Sequence, residues 1–332
     1  MQFGQRKDTP IMTRVLSGIQ PSGTLHIGNY FGMMKPSVAL QSDNECFYFI
    51  ADYHALTTLP AAARLKECVH GVAVDFLACG IDPEKTAFFR QSDVPQVMEL
   101  TWILSCLTPI GLLERCHSYK DKVARGFTAN HGLFTYPVLM AADILVYGSN
   151  QVPVGKDQKQ HLAVTRDLAI RFNNHSGEVL VIPEPIIQES VAVIPGLDGQ
   201  KMSKSYGNTI ELFGEGKKAR KTFMKIVTDS TPMEDPKDPD SCNVFALYKL
   251  LATEEELDEM RGRYLAGGMG YGHAKQALFE KYSEHFAEMR ERRAEFLADP
   301  QRVEQILQDG ASRARTAAEA MMSRVREAVG LR

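Results

Sequence analysis

The chain has 332 residues, a formal charge of −3, 24% charged and 44% hydrophobic residues, an ordinary balance with room for about two domains of real core. That balance excludes a surface coated in basic charge for nucleic acid, and no apolar run approaches the roughly 18 residues that cross a bilayer. The polar start lacks the apolar core of a signal peptide, so a cytoplasmic protein with a disordered N-terminal extension over residues 1–13 is expected.

Arg14 to Ile19 reads as a strand entering a turn, Gly18-Ile19-Gln20-Pro21-Ser22-Gly23, followed by a helix that opens near His26 and runs towards Leu40 with a kink at Pro36. A strand–loop–helix unit aims backbone N–H groups and the positive helix end at phosphate. Gly28 would let an adenine or ribose approach the backbone. Cys46 to Ala51 is a continuous apolar run, as in a strand buried on both faces, and it ends in Asp52-Tyr53-His54, where parallel sheets hold ligands. Leu65, Cys68, Val69, Val72, Phe76 and Cys79 recur at helical spacing before Gly80, and Thr86 to Arg90 is a third strand. The alternation predicts an α/β fold, a doubly wound, Rossmann-like parallel sheet with right-handed crossovers.

Gln96 to Leu107 and the segment from Leu112 read as helices, and Lys120, Asp121, Lys122, Arg125 and Gly126 as a charged loop. Tyr136 to Leu145 reads as an apolar helix with Tyr136, Met140 and Asp143 on one face; by itself Asp143 could equally be a structural carboxylate with a partner or a functional acceptor. Gln151 to Val154 is a further strand, Gly155 to His161 opens a helix to Phe172, and Glu178 to Ile182 is the last strand expected. Next comes Gly199-Gln200-Lys201-Met202-Ser203-Lys204-Ser205, two lysines three residues apart on a hydroxyl-rich turn. Gly196 and Gly199 let the turn be sharp, and mobile ammonium groups with serine donors suit a phosphate whose charge moves. A lone Lys-x-x-Lys is more often just a solvated basic turn.

Beyond Asn208 the pattern changes to amphipathic helices over 245–251, 253–265, 272–297 and 300–329, with Asp229 to Asp240 as connector and Thr253 with Glu256 as a capping box. Two basic groups stand out: Lys217, Lys218, Arg220, Lys221 and Lys225, and the arginines from Arg290 to Arg326. Mixed with glutamates, the arginines read most simply as a solvated face. The six cysteines form no C-x-x-C pair and no zinc-finger spacing with His, which reads as buried thiols without a metal.

His26-Ile27-Gly28-Asn29 early and Lys201-Met202-Ser203-Lys204-Ser205 late make the chain resemble the class I aminoacyl-tRNA synthetases, with Asn29 departing from the last His of the first signature. The phrases G-I-Q-P-S-G, Y-P-V-L-M-A-A-D-I-L and V-P-V-G-K-D-Q-K-Q-H look like the bacterial tryptophan-specific branch, and the resemblance runs from Thr13 onward. It implies a catalytic domain over 14–208, with a helical insertion at about 95–150 and the lysine loop at 199–207, then a helical anticodon-binding domain over 209–332. It implies activation of L-tryptophan by ATP to tryptophanyl-adenylate and pyrophosphate, then transfer to tRNA(Trp), in a homodimer with no membrane partner.

An indole offers one N–H donor on a flat hydrophobe, so its site needs one acceptor in an apolar slot. Asp143 beside Met140, with Val152 and Val154 opposite, fits that need. The resemblance further implies Tyr136 and Gln158 on the substrate amino group, and His54 and Leu16 at the pocket, Leu16 replacing an aromatic found in some relatives. On the ATP side it implies Gln20 and His26 at the α-phosphate, Gly28 and Asn29 packing the nucleotide, and Asp157 on ribose. Ser22, Gly23, Gly155, Met202 and Ser203 complete that site, Lys201 and Lys204 grip pyrophosphate, and Lys122 closes over it. Mg²⁺ arrives with ATP, and no protein-built metal site is expected.

Some relatives carry an iron–sulfur cluster near the anticodon-reading helices. Here Cys242 stands at one ligand place but Leu265, Gly272 and Lys275 at the others, so no cluster is expected. Three other readings compete: a tyrosine-specific synthetase, a small adenylyltransferase, which would not need about 100 helical residues after Asn208, and an inactive binding module, which predicts broken loops.

Overall fold

The computed structural model describes residues 13–124, 126, 129–154, 159–187 and 194–331. Strand β1 (Arg14–Ile19) runs parallel to β2 (Glu45–Ile50), Arg14 opposite Glu45 and Ile19 opposite Ile50, and β2 runs parallel to β3 (Thr86–Arg90). On its other side β1 meets β4 (Gln151–Val154), which pairs with β5 (Glu184–Ile187). The order β3-β2-β1-β4-β5 reverses direction between β1 and β4, and that reversal opens a crevice at the carboxyl ends of the strands. The period-2 geometry of a strand sends Cys46, Tyr48 and Ile50 into one core and Phe47, Phe49 and Ala51 into the other. Both faces are dry, which is why β2 reads as an unbroken apolar run.

Between β1 and β2 lie α1 (Ile27–Asn29), a π-helical turn over Tyr30–Met34 and α2 (Lys35–Leu40). The single kinked helix expected here is instead interrupted by the π turn, and Pro36 sits in the first turn of α2 directly after it, where its missing N–H takes one donor from the junction. Then come α3 (Asp52–Ala55) and α4 (Ala62–Ala78), followed after β3 by α5 (Gln96–Leu107), α6 (Ile110–Glu114) and α7 (His117–Ala124). The expected charged loop around Lys120 is thus helical: no Gly or Pro stops α7 before Gly126, whose φ of 84° ends it.

Helix α8 (His131–Leu145) starts before Tyr136, because the Asn130 side chain caps it by accepting from Leu133 N at 2.8 Å. Helix α9 (Lys159–Ser176) precedes β5. Residues 178–182 do not form the expected strand. Asn173 binds Val179 N, Leu180 N and Leu180 O at 2.8–3.1 Å, so these backbone groups are already used and pairing starts at Glu184.

The remaining helices are α10 (Gly216–Met224), α11 (Asn243–Tyr248), α12 (Glu254–Ala266), α13 (Tyr271–His285), α14 (Ala287–Ala298) and α15 (Pro300–Ala328). The capping box of Thr253 and Glu256 opens α12. The single helix expected over 272–297 breaks at Phe286, which is fully buried against Tyr30, Phe31, Phe213 and Tyr282. In the connector, Lys237 is buried and its Nζ donates to the Pro232, Met233 and Asp235 carbonyls. Cys242 is buried, its Sγ 3.5 Å from Tyr264 Oη.

Helix α15 runs past the open edge of the sheet: Val303 and Leu307 join one core, Ala311, Ala314 and Met322 the other. At the crossing a Cβ on Gly310 would stand 2.0 Å from the Phe88 carbonyl oxygen. The edge strand β3 is thereby covered rather than left to pair with another chain. Among the described residues no helix is long and apolar enough to cross a membrane.

Candidate active site

The loop after β1 is stitched through the backbone to residues 210–212, just past the lysine loop. Ile27 N donates to Ile210 O at 3.0 Å and Leu212 N to Leu25 O at 2.9 Å, and His26 bridges Glu211. Side chains continue the seam: Lys204 Nζ donates to Gly23 O at 3.0 Å and Ser22 Oγ at 3.3 Å. Lys204 is half-buried, and desolvation, the main cause, lowers its pKa.

His26 caps α1, and its backbone N–H donates to Asn29 Oδ1 at 3.1 Å, which gives Asn29 a local task in place of the usual histidine. Its ring is buried, and Nδ1 meets no hydrogen-bond partner among the described residues. Burial first, then the nearby Lys204 charge, lowers its pKa to about 4, so near neutral pH it is an uncharged donor or acceptor. A Cβ on Gly28 would stand 2.9 Å from His26 Nδ1 and 3.3 Å from Met202 Cβ. The glycine therefore makes room for the protein's own His26 and Met202, where the sequence suggested room for a nucleotide.

In the lysine loop Gly199 has φ 82°, a left-handed turn that favours glycine. Gly196 serves a different purpose from the turn expected of it: a side chain there would collide with Asn208 at 2.3 Å. Asn208 is buried, donates to Asp198 Oδ1 at 2.7 Å and Lys201 O at 3.1 Å, and accepts from Ser203 N at 2.8 Å. It fixes the shape of the loop that carries the lysines. Met202 is buried beneath the loop, Ser203 Oγ and Ser205 Oγ lie 2.9 Å apart, and the Lys201 residue is exposed.

A cavity of about 260 Å³ opens beside this seam, lined among others by Gln20, Ser22, His54, Arg64 and Cys68. Its floor leads to a buried polar cluster. His54 Nε2 lies 2.8 Å from Asp143 Oδ2, and Gln91 Nε2 donates to Oδ1 at 2.8 Å and Oδ2 at 2.9 Å. Burial pushes the Asp143 carboxyl up, hydrogen bonds from His54 and Gln91 pull it down, and the charge of Asp52 pushes it up again. Beside them Tyr136 stands edge-on to His54 at 6.2 Å between centroids, its Oη 2.6 Å from His161 Nε2. Leu16, Val152 and the half-buried Met140 belong to the apolar cluster that surrounds Asp143's helix.

The structure thus brings Gln20, Ser22, Gly23, His26, Gly28, Asn29, Met202 and Lys204 to one seam, and His54, Tyr136 and Asp143 to the neighbouring cluster. The Lys122 and Val154 side chains, and all of Gly155, Asp157 and Gln158, lie outside the described residues. Gln91, His161 and Asn208 join the site without having been singled out in the sequence. The only signals were Gln91's place at the end of a predicted strand and Asn208's place right after the lysine loop.

A parallel sheet with a phosphate-suited loop after its first strand, locked to a Lys-x-x-Lys loop, is the layout of a class I aminoacyl-tRNA synthetase. The family model for class I tRNA synthetases of the tryptophan and tyrosine type matches residues 11–287, and the chain belongs to this family. It is 54% identical over 321 residues to the tryptophan–tRNA ligase of Fusobacterium nucleatum, covering 96% of this chain and 98% of that one. Against the tryptophan–tRNA ligase of Rhodopirellula baltica it is 55% identical over 319 residues, covering 96% and 100%. The crystal structure of tryptophanyl-tRNA synthetase from Campylobacter jejuni complexed with ADP and tryptophan matches with a TM-score of 0.91 and 52% identity, covering 96% of this chain and 100% of that one.

Proposed function

We propose that this chain is a tryptophan–tRNA ligase that forms tryptophanyl-adenylate from tryptophan and ATP, then transfers the acyl group to the 3′ end of tRNA(Trp). The observation that carries the choice of amino acid is Asp143, a carboxylate 1% exposed in an apolar cluster beside the cavity. An indole N–H adds the donor that Asp143 Oδ1, held by Gln91 alone among the described residues, still has room for, whereas a phenyl ring leaves that acceptor position unfilled, a difference worth far more than size. Near-full-length relatives that are themselves tryptophan–tRNA ligases support the same choice.

In the first step the tryptophan carboxylate, already ionised, attacks the α-phosphorus in line and pyrophosphate leaves, so positioning and charge stabilisation do most of the work. Tyr136 and Gln158 hold the ammonium group, and Leu16, Met140, Val152 and Val154 enclose the ring. Gln20 and the neutral His26 face the α-phosphate, with Ser22, Gly23, Gly155 and Asp157 along the nucleotide. Lys201 and Lys204 follow the leaving pyrophosphate with Met202 and Ser203 shaping their loop, and Lys122 closes from α7. Mg²⁺ enters as part of the MgATP substrate.

In the second step the terminal ribose hydroxyl of tRNA attacks the acyl carbon and AMP leaves. Residues 209–332 serve tRNA binding, with residues 14–208 catalytic and about 95–150 inserted. Support comes from the exposed Lys217, Lys218, Arg220 and Lys221 of α10. A homodimer is supported by Trp102, 73% exposed between the exposed Met98 and Cys106 on α5. Labelled tryptophan should become attached to tRNA(Trp) with ATP present, and periodate-oxidised tRNA should accept none. Attachment of tyrosine instead would overturn the assignment.

A further inference from the structure

We propose that Gln91, just past β3, is a specificity-determining positioning residue: its amide clamps the Asp143 carboxylate and leaves Oδ1 as the oxygen with room for the indole N–H. This rests on the reading of Asp143 as indole acceptor. Gln91 is 0% exposed, so its side chain meets only protein. Its Oε1 accepts from Tyr53 N at 3.1 Å, so the amide cannot be turned round and its NH₂ must face the carboxylate. Among the described residues Asp143 Oδ2 takes both His54 and Gln91, while Oδ1 takes Gln91 alone. The clamp also joins three elements, because the same glutamine binds the start of α3 and the carboxylate of α8.

The titratable groups facing Asp143 are His54 and Asp52 from α3 and Tyr147 beyond α8. Burial drives the Asp143 carboxyl upward, and the Gln91 hydrogen bond counts among the forces that lower it. Without that donor the ionised acceptor is lost at a higher pH. A carboxyl in place of the amide, as in Gln91→Glu, has the reverse effect on binding. Two carboxyls in contact share one proton, so the introduced group would donate to Asp143 at low pH and repel it once that proton leaves.

The test is ATP–pyrophosphate exchange with tryptophan and with its benzothienyl analogue, which keeps the ring shape but has sulfur in place of N–H. Wild type, Asp143→Ala, Gln91→Met and Gln91→Glu are compared across pH. Wild type should prefer tryptophan strongly, and Asp143→Ala should not; failure of either result removes the underlying reading of Asp143. Given both, Gln91→Met should lose about tenfold in that preference, mainly through a higher KM for tryptophan that falls as pH rises. Gln91→Glu, of nearly the same size, should show a tryptophan KM that climbs with pH. A residue needed only for packing would produce neither opposed slope. Wild-type preference and pH profile in both variants would overturn the proposal. Should Gln91→Met fail to fold, the slope of Gln91→Glu decides alone.

Discussion

His26 carries an imidazole that is buried, uncharged and flanked by an ammonium group, with a pKa of about 4 against an ordinary 6.5. Between those values the unfolded chain takes up a proton that the folded chain refuses, so the folded state loses stability as pH falls from 6.5 towards 4. His26→Gln should remove that part of the acid sensitivity. Urea midpoints at about pH 7 and pH 5 should move less in the variant than in wild type; equal shifts would contradict the buried, neutral imidazole. Residues of this kind were legible because they sit in contiguous phrases, His26 to Asn29 and Lys201 to Ser205, and Asp143 was legible as a carboxylate on an apolar helix face. Gln91 and Asn208 were not. Each acts on a residue that is distant in sequence or on backbone atoms, and neither has a local pattern that distinguishes it from a surface amide.

At the level of elements, α15 shows how one contact can fix a helix. Gly310 lets it approach the β3 backbone so closely that any Cβ meets the Phe88 carbonyl. Gly310→Ala should therefore destabilise the fold by about 2 kcal/mol, although alanine is the better helix former. A urea titration measures this, and a neutral or stabilising result would contradict the close crossing. Strands β1, β3 and β4 and helix α5 were readable residue by residue, because hydrophobic run length and flanking turn residues agree there. Several misreadings share a cause: a specific side-chain contact outweighs local pattern. Asn173 uses up the backbone where a strand was expected, and burial of Phe286 in an aromatic cluster splits α13 from α14. The π turn after Asn29 likewise places Tyr30 Oη 3.2 Å from His285 Nε2, a contact no periodicity reveals.

For the whole molecule, the sheet order brings the ends of β1, β2 and β3 to one edge, and with them Gln20, His54 and Gln91, while α8 supplies Asp143. The same α5 that backs this sheet turns Trp102, the chain's one tryptophan, outward. A dimer through that face would bury its indole, so Trp102 emission should shift to the red on dilution and Trp102→Glu should sediment as a monomer. A concentration-independent emission with an unchanged sedimentation coefficient in the variant would contradict that interface. Whether the chain activates tryptophan through Asp143 is decided by ATP–pyrophosphate exchange on wild type and Asp143→Ala with tryptophan and tyrosine. Exchange should occur with tryptophan alone and fall at least about 100-fold in kcat/KM in the variant. Exchange driven by tyrosine, or an Asp143→Ala enzyme as active as wild type on tryptophan, would contradict it.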